Sequence, residues 1–322
     1  MTGVKDRLAS VGYSLGWSVV CRLPESAARA GFEFFADIAW RRQGPGVQVL
    51  EGNLWRVLGP DATAAQVRAL SRESMRSYAR YWLEVFRLPV MPVERLSEGM
   101  HDIGHIQDAF DHVAAGRGVV FALPHMGNWD QAGAWIITRG AGSFTTVAER
   151  IEPESVYERF VAFREALGME VLPASGGDRP FGILARRLRA GKFVCLPCDR
   201  DVTGHGIEVE FFGEGARMTP GPAALAVQTG AALMPAVLWF EGDGWGVDVG
   251  AEIPVPQAGD RKERIRAMTQ QIARFFEDGI RAHPQDWHML QRVFTADLDP
   301  VRLAAAQRAA AAADSTAEAG SR

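Results

Sequence analysis

Residues 117–135 read R-G-V-V-F-A-L-P-H-M-G-N-W-D-Q-A-G-A-W, and this stretch decides the fold class. Its apolar run at 119–123 has the length and composition of a fully buried strand. Pro124 has no N–H for a sheet ladder, so the strand ends there. Asn128 then has the position of a helix N-cap, with Gln131 at the spacing of a capping box. The stretch therefore predicts a strand, a tight loop and a helix.

Two polar side chains flank the predicted loop-to-helix junction. His125 lies in the loop at the carboxyl end of the strand, and Asp130 lies in the first turn of the helix. In one interpretation Asp130 only complements the helix dipole and His125 binds a backbone group. In the other, Asp130 orients His125, whose imidazole takes a proton from an attacking hydroxyl. The second is favoured because ligand crevices open at the carboxyl ends of strands in α/β sheets.

Strand and helix patterns alternate from residue 118 onward. This alternation predicts an α/β fold with a mostly parallel central sheet wrapped by helices. The predicted strands are 118–123, 144–148, 170–173, 193–198, 207–212, 233–240 and 245–250, and the predicted helices are 129–139, 154–167, 180–190, 220–229 and 260–282.

Charged groups follow two other strands of this pattern. They are Glu149, Arg150, Asp199, Arg200 and Asp201. Because the carboxyl ends of parallel strands converge on one crevice, we expect these groups near His125. Asp199 or Asp201 would then hold the other nitrogen of His125, sharing or replacing the role of Asp130. Each group taken alone is also compatible with a surface ion pair.

The string L-P-H-M-G-N-W-D at 123–130 resembles the H-x4-D block of the glycerolipid and lysophospholipid acyltransferases. The resemblance is closest to the branch that contains the bacterial lipid A acyltransferases, and within it to the group that acylates phosphatidylinositol mannosides. Further matches in the family's order are A-E-R at 148–150, F-R-E-A-L-G at 163–168, D-R-D at 199–201, E-V-E-F-F-G at 208–213 and H-P-Q-D-W-H-M-L-Q at 283–291.

The resemblance implies a glycerolipid acyltransferase-like fold and an acyl-CoA-dependent O-acyltransferase. A long-chain acyl group, such as palmitoyl, would move from acyl-CoA to a mannose hydroxyl of a phosphatidylinositol mannoside. His125 would be the general base, supported by Asp130 and Asp199, and helix amides near Asn128 would stabilise the oxyanion. A lipid A-type or other glycolipid or lysophospholipid acceptor stays open. A metal-dependent hydrolase and a non-catalytic membrane-binding protein are the alternatives from other classes.

We expect substrate contacts from side chains around this block and from the later matching strings. They are Met126, Asn128, Trp129, Glu149, Arg164, Arg200, Asp201, Glu208, Phe211 and Phe212. The resemblance alone implies that Arg164 helps to bind a polar acceptor and that Glu208 belongs to the block near the acceptor and thioester. An apolar groove for the acyl chain would draw on Met126, Trp129, Phe211 and Phe212. We expect no metal and no cofactor, with acyl-CoA as co-substrate.

Composition and charge limit the classes of protein. The 322 residues are 47% hydrophobic and 23% charged, which suits a large globular domain. The net charge is −4, but residues 1–100 carry a net charge of +3. This local excess suits an anionic membrane surface and is too weak to indicate nucleic-acid binding.

Three cysteines fit a reducing compartment. Cys195 and Cys198 fall in an apolar strand and are interpreted as buried structural thiols rather than a redox or zinc pair.

The N-terminal segments predict contact with a membrane. Residues 8–21 are uncharged but too short to span a bilayer, and no small-residue cleavage site of a signal peptide follows them directly. Residues 27–40 carry aromatic side chains at near-helical spacing. We expect both to lie on the cytoplasmic face of the cell membrane as a peripheral anchor, although helices that cap the core are the alternative.

We expect three parts in the chain and a monomeric protein. Residues 1–100 would be a helical membrane-associating region, 101–300 the catalytic core and 301–322 a flexible Ala-rich tail.

A long helix at 62–87 presents arginines at i,i+4 spacing, and these form either a solvated face or a surface for anionic headgroups. They are Arg68, Arg72, Arg76 and Arg80.

Overall fold

The structure is a computed structural model that describes Trp17 and residues 19–150, 154–174, 180–201, 204 and 206–298, without the side chains at 155 and 156. The expected helix at 8–21 lies outside these residues up to position 16 and at position 18, and the expected tail at 301–322 lies outside them entirely.

The described elements follow one another in this order: α1 (Glu25–Arg41), α2 (Pro45–Leu58), α3 (Ala64–Arg87), α4 (Val93–Glu98), β1 (Met100–Gly104), α5 (Ile106–Ala114), β2 (Val119–Leu123), α6 (Trp129–Ile136), β3 (Phe144–Ala148), α7 (Glu154–Ala166), β4 (Met169–Pro173), α8 (Pro180–Arg189), β5 (Phe193–Pro197), β6 (Ile207–Phe211), β7 (Glu214–Met218), α9 (Gly221–Thr229), β8 (Ala232–Glu241), β9 (Gly244–Val249) and α10 (Arg261–Ala282). A π-helical turn (Ile137–Ala141) follows α6, and short 3₁₀ turns occur at Leu88–Val90, Pro284–Asp286 and Thr295–Asp297.

A seven-stranded sheet with the order β1-β9-β8-β2-β5-β3-β4 forms the centre of the fold. The five strands from β8 to β4 run parallel, whereas β9 is antiparallel to β8 and carries β1 parallel to itself. Helices α8, α9 and α10 pack on one face, and α5 and α6 pack on the other. The expected α/β class with a mostly parallel sheet is confirmed.

Two parts of the strand prediction are wrong. The predicted strand at 207–212 does not join the central sheet, because β6 pairs antiparallel with β7 in a separate hairpin that the alternation pattern did not indicate. Phe212 and Gly213 form its turn with φ of 50° and 77°, a left-handed geometry that suits a two-residue hairpin loop. The edge strand β1 was also missed, since it is short and half polar.

The arginines of α3 lie partly exposed, and each binds a carboxylate of this chain. Arg72 and Arg76 both bind Asp37 of α1, and they hold the pKa of its carboxyl well below the usual range. Arg68 binds Glu51, and Arg80 binds Glu84. The stripe therefore fastens α1 and α2 to α3.

The register of two central strands creates the site. Leu123 of β2 pairs with Pro197 of β5, and Cys198 extends the ladder by donating its N–H to the carbonyl of Leu123 at 2.8 Å. Two residues beyond that pair, His125 therefore comes next to Asp199.

Across the described residues, every helix is too short or too polar to cross a membrane.

Candidate active site

His125 lies in a tight loop between β2 and α6. The loop passes so close to β8 that a Cβ at Gly127 would lie 2.7 Å from the carbonyl carbon and oxygen of Leu238. The φ of Gly127 is 59°, which a glycine adopts without strain. This glycine lets the chain turn from the strand into the helix while the ring of His125 stays at the edge of the sheet.

Asp199 holds His125 at two points. Its Oδ1 is 2.5 Å from Nδ1 of the ring, and its Oδ2 accepts the backbone N–H of His125 at 2.9 Å. A third donor, the indole N–H of Trp287, reaches Oδ2 at 2.9 Å. The carboxylate is fully buried, and burial raises its pKa, but the charge of His125 and these N–H donors outweigh burial and leave the pKa lowered. With Nδ1 bound to Asp199, Nε2 is the ring nitrogen available for chemistry.

Asp130 binds other partners. Its carboxylate accepts two hydrogen bonds from Arg164, at 2.6 and 3.0 Å, and one from the hydroxyl of Tyr81 at 2.9 Å. The first turn of α6 thus directs Asp130 towards α3 and α7 rather than towards His125. The carboxylate that contacts the imidazole is that of Asp199, the alternative that the sequence left open. Burial lowers the pKa of Arg164, but the carboxylate of Asp130 more than reverses this and raises it.

Asn128 fixes the start of α6. Its Oδ1 accepts the N–H of Gln131 at 3.0 Å, which is the expected N-cap bond, and its amide donates to Glu84 at 2.8 Å. Glu84 is buried and also binds Arg80 and the indole of Trp245. The return bond of a capping box is missing, because the side chain of Gln131 finds no partner among the described residues.

The other expected groups of the crevice form internal contacts. Glu149 and Arg200 pair with each other at 3.2 Å. Asp201 accepts the N–H groups of Gly204 and Gly206 and therefore organises its own loop. Glu208 is exposed on β6.

An apolar cavity lies between the sheet and α6. Its volume is about 90 Å³, and its lining includes the charged side chains of Asp130 and Arg164. Apolar side chains from the sheet and from α5 and α6 line the rest, among them Ile106, Phe121, Leu123, Trp129, Trp135, Phe144, Met169 and Val249. One of the lining residues lies near the imidazole, since the rings of His125 and Trp129 are 5.7 Å apart.

The expected groove residues are only partly those that line the cavity. Trp129 lines it, but Met126 and Phe211 are fully buried in the core on the opposite face of the sheet, and the half-buried Phe212 packs against that core. The loop geometry turns the side chain of Met126 under the sheet while that of His125 stays at the edge.

Sequence reasoning missed two residues of the site. Trp287 donates to Asp199, and Tyr81 donates to Asp130. Trp287 belongs to the matching string at 283–291, so its position was marked, but nothing local in that string indicates a carboxylate partner 88 residues away. Tyr81 was hidden within a helix whose arginines dominated the pattern.

The chain is similar to proteins of one acyltransferase family. A model of the bacterial lipid A biosynthesis acyltransferase family matches residues 7–296. The phosphatidylinositol mannoside acyltransferase of Mycolicibacterium smegmatis (strain ATCC 700084 / mc(2)155) is 49% identical over 302 residues, covering 92% of this chain and 95% of the relative. The protein of that name from Mycobacterium tuberculosis (strain CDC 1551 / Oshkosh) is 50% identical over 294 residues, covering 91% of this chain and 90% of the relative.

The pairing of Asp130 with Arg164 predicts that Asp130→Asn destabilises the protein. The Arg164 side chain is only 15% exposed, so neutralising its partner leaves a buried charge uncompensated. We expect a loss of about 3 kcal/mol in the free energy of unfolding, measured with urea. The double variant Asp130→Asn/Arg164→Met should lose less than the sum of the two single changes. Equal stability of Asp130→Asn and the wild type would contradict this account.

Proposed function

This chain belongs to the bacterial lipid A biosynthesis acyltransferase family, and from that membership we propose that it moves a long-chain acyl group from acyl-CoA to a mannose hydroxyl of a phosphatidylinositol mannoside. The names of the two mycobacterial relatives support the acceptor. The observation that carries the proposal is the His125–Asp199 pair, whose imidazole lies 5.7 Å from the ring of Trp129 in the lining of an apolar cavity.

His125 acts as the general base of the reaction. Its Nε2 takes the proton of the acceptor hydroxyl while the hydroxyl oxygen bonds to the thioester carbonyl carbon. Asp199 stabilises the imidazolium that forms, because its carboxylate is 2.5 Å from Nδ1. When the tetrahedral intermediate collapses, the carbon–sulfur bond breaks and the imidazolium returns its proton to the departing thiolate of CoA. The products are the ester and free CoA.

The start of α6 supplies donors for the oxyanion. The first amides of a helix have no partner within the helix, and the N–H of Gln131 is already bound by Asn128. The N–H groups of Trp129 and Asp130 are left to bind the carbonyl oxygen of the thioester, and the helix dipole favours negative charge there. The role of Asn128 is to hold this turn in place.

The apolar cavity receives part of the acyl chain of the donor. Most of its lining is hydrocarbon and aromatic, and it includes Trp129, which lies next to His125. A chain that enters past Trp129 leaves its thioester near the imidazole. Asp130 and Arg164, the charged groups in the lining, neutralise each other. We propose no metal and no cofactor, with acyl-CoA as co-substrate.

The charge pattern at the sheet edge supports a sugar acceptor. Glu149 pairs with Arg200, and Arg164 pairs with Asp130, so these groups form no strongly basic cluster. Carboxylates and arginines together bind the hydroxyls of a neutral polyol, whereas two phosphates of a lipid A precursor call for several unpaired cations.

We also propose that the protein works at the membrane surface as a peripheral protein. Phe34 and Phe35 of α1 are 60% and 68% exposed, which is unusual for adjacent large aromatic side chains. Aromatic side chains on an amphipathic helix insert between lipid headgroups. This helix would hold the site where a lipid acceptor is available.

The general-base role predicts that His125→Ala lowers transfer by at least about 10²-fold without unfolding the protein. Asp199→Asn should cause a loss of the same order, because an amide does not stabilise the imidazolium. The rate is measured with labelled palmitoyl-CoA. His105→Ala is the matched control, since it removes a surface His–Asp pair with Asp108 and should leave transfer unchanged. A folded His125→Ala protein with normal turnover would exclude the mechanism.

The acceptor is tested by offering a phosphatidylinositol mannoside and a lipid A precursor separately with labelled palmitoyl-CoA. We expect label in the mannoside, because the crevice lacks an unpaired basic cluster among the residues described above. Label in the lipid A precursor alone would overturn the acceptor and leave the acyltransferase activity intact.

The membrane role is tested with the double variant Phe34→Ser/Phe35→Ser. Losing two inserted aromatic side chains should weaken binding to lipid vesicles about tenfold or more. The control Leu58→Ser/Ile103→Ser removes two exposed apolar side chains from other elements and should bind as the wild type does. Equal binding by the wild type and both double variants would show that Phe34 and Phe35 do not contribute to membrane binding and that α1 is only structural.

A further inference from the structure

Residues 284–288, which we term the Trp287 segment, lie along the loop that carries His125. The carbonyl of Asp286 accepts the N–H of Gly127 at 2.9 Å, and the N–H of His288 donates to the carbonyl of His125 at 2.8 Å. The backbone of Trp287 pairs with Met126 between these two bonds. The segment therefore forms a short antiparallel pairing with the catalytic loop.

The side chain of Trp287 continues from this pairing to Asp199. Its indole N–H and the backbone N–H of His125 both reach Oδ2, each at 2.9 Å, while Oδ1 faces Nδ1. A carboxylate whose Oδ2 already accepts two N–H groups is held against rotation about its terminal bond. The indole itself is fully buried and packs against Phe211, with ring centroids 5.9 Å apart.

We propose that Trp287 is a positioning residue for acyl transfer, acting through Asp199 to hold Oδ1 on Nδ1 of His125. The inference rests on the proposed general-base role of His125. Partners that fix the carboxylate of a catalytic pair set both the ring's orientation and its hydrogen-bond strength. Trp287 never touches the substrate in this account. Its effect passes through one hydrogen bond.

The Trp287 segment has anchors of its own, independent of Asp199. The side chain of Asp286 accepts hydrogen bonds from Ser77 at 2.6 Å and from the N–H of Phe240 at 3.0 Å. The hydroxyl of Ser77 also lies 2.8 Å from Nε2 of His288. Burial raises the pKa of Asp286 to about 6 and lowers the pKa of His288 to about 3, so the His288 ring is neutral at neutral pH. Because these bonds persist without the indole N–H, a variant that lacks only that group should keep the backbone in place.

Two changes at position 287 of the full chain test the proposal. Incorporating β-(3-benzothienyl)alanine replaces the indole N–H with sulfur and keeps the ring shape, and Trp287→Phe removes the donor with a smaller ring. Trp40→Phe is the control, since it removes an indole donor to Ser71, far from Asp199. We expect kcat to fall about tenfold or more at position 287 with KM for acyl-CoA unchanged, and no change in the control.

The pH profile separates positioning from simple packing. Without the indole donor, Asp199 is a stronger acceptor for the proton of the imidazolium, so the acid limb of kcat/KM should move to higher pH. A defect in packing alone lowers the amount of active protein and leaves the limb where it is. Wild-type kcat and an unmoved limb in the benzothienylalanine protein would overturn the proposal.

A second readout does not depend on activity. The Nδ1–H proton of His125 gives a low-field NMR resonance that reports on the carboxylate facing it, and it should move in the benzothienylalanine protein and stay in Trp40→Phe. An unmoved resonance overturns the proposal even if the rate falls, and a moved resonance with an unchanged rate overturns it as well. The proposed general-base function has its own test. If it is wrong, the His125→Ala protein still transfers the acyl group, whatever the result at position 287.

Discussion

The site depends on how one buried carboxylate is satisfied. Asp199 has no exposed surface, and an ion removed from water must be matched by donors at its own position. Three N–H groups meet that need: the backbone and ring of His125 from the loop after β2, and the indole of Trp287 from beyond α10. Parts of the chain more than 150 residues apart must therefore converge before Asp199 can be buried as an anion. The geometry of the proposed base, His125, follows from this constraint.

Much of the fold was predictable from the sequence because the strands of the parallel sheet are short apolar runs bounded by Gly, Pro and polar residues. Strand β3 was predicted at its observed limits, and α6 begins directly after its predicted N-cap, Asn128. The hairpin β6–β7 was not recognised as separate, since alternation along one strand does not reveal which strand it pairs with. The edge strand β1 has too few apolar residues to stand out.

The sequence predicted which polar side chains lie at one edge of the sheet, but not which of them bind each other. The spacing of His125 and Asp130 drew attention to that pair, whereas the bond to Asp199 arises from the register of β2 on β5, which no local pattern contains. The position of the Met126 side chain could not be predicted from a local pattern either. Its neighbour His125 stays at the edge, whereas Met126 is buried in the core on the other face of the sheet.

Three buried carboxylates hold the loop of His125 and the start of α6 from different sides. Glu84 on α3 binds Asn128, Asp130 binds Arg164 of α7, and Asp199 after β5 binds His125. Each has its own donors, so moving the loop would leave a buried charge without partners at a cost of several kcal/mol. The loop is consequently held in one geometry before any substrate arrives. In the proposed mechanism, a base preorganised in this way spends no binding energy on ordering itself, so the interactions that the acyl chain gains in the cavity place the thioester.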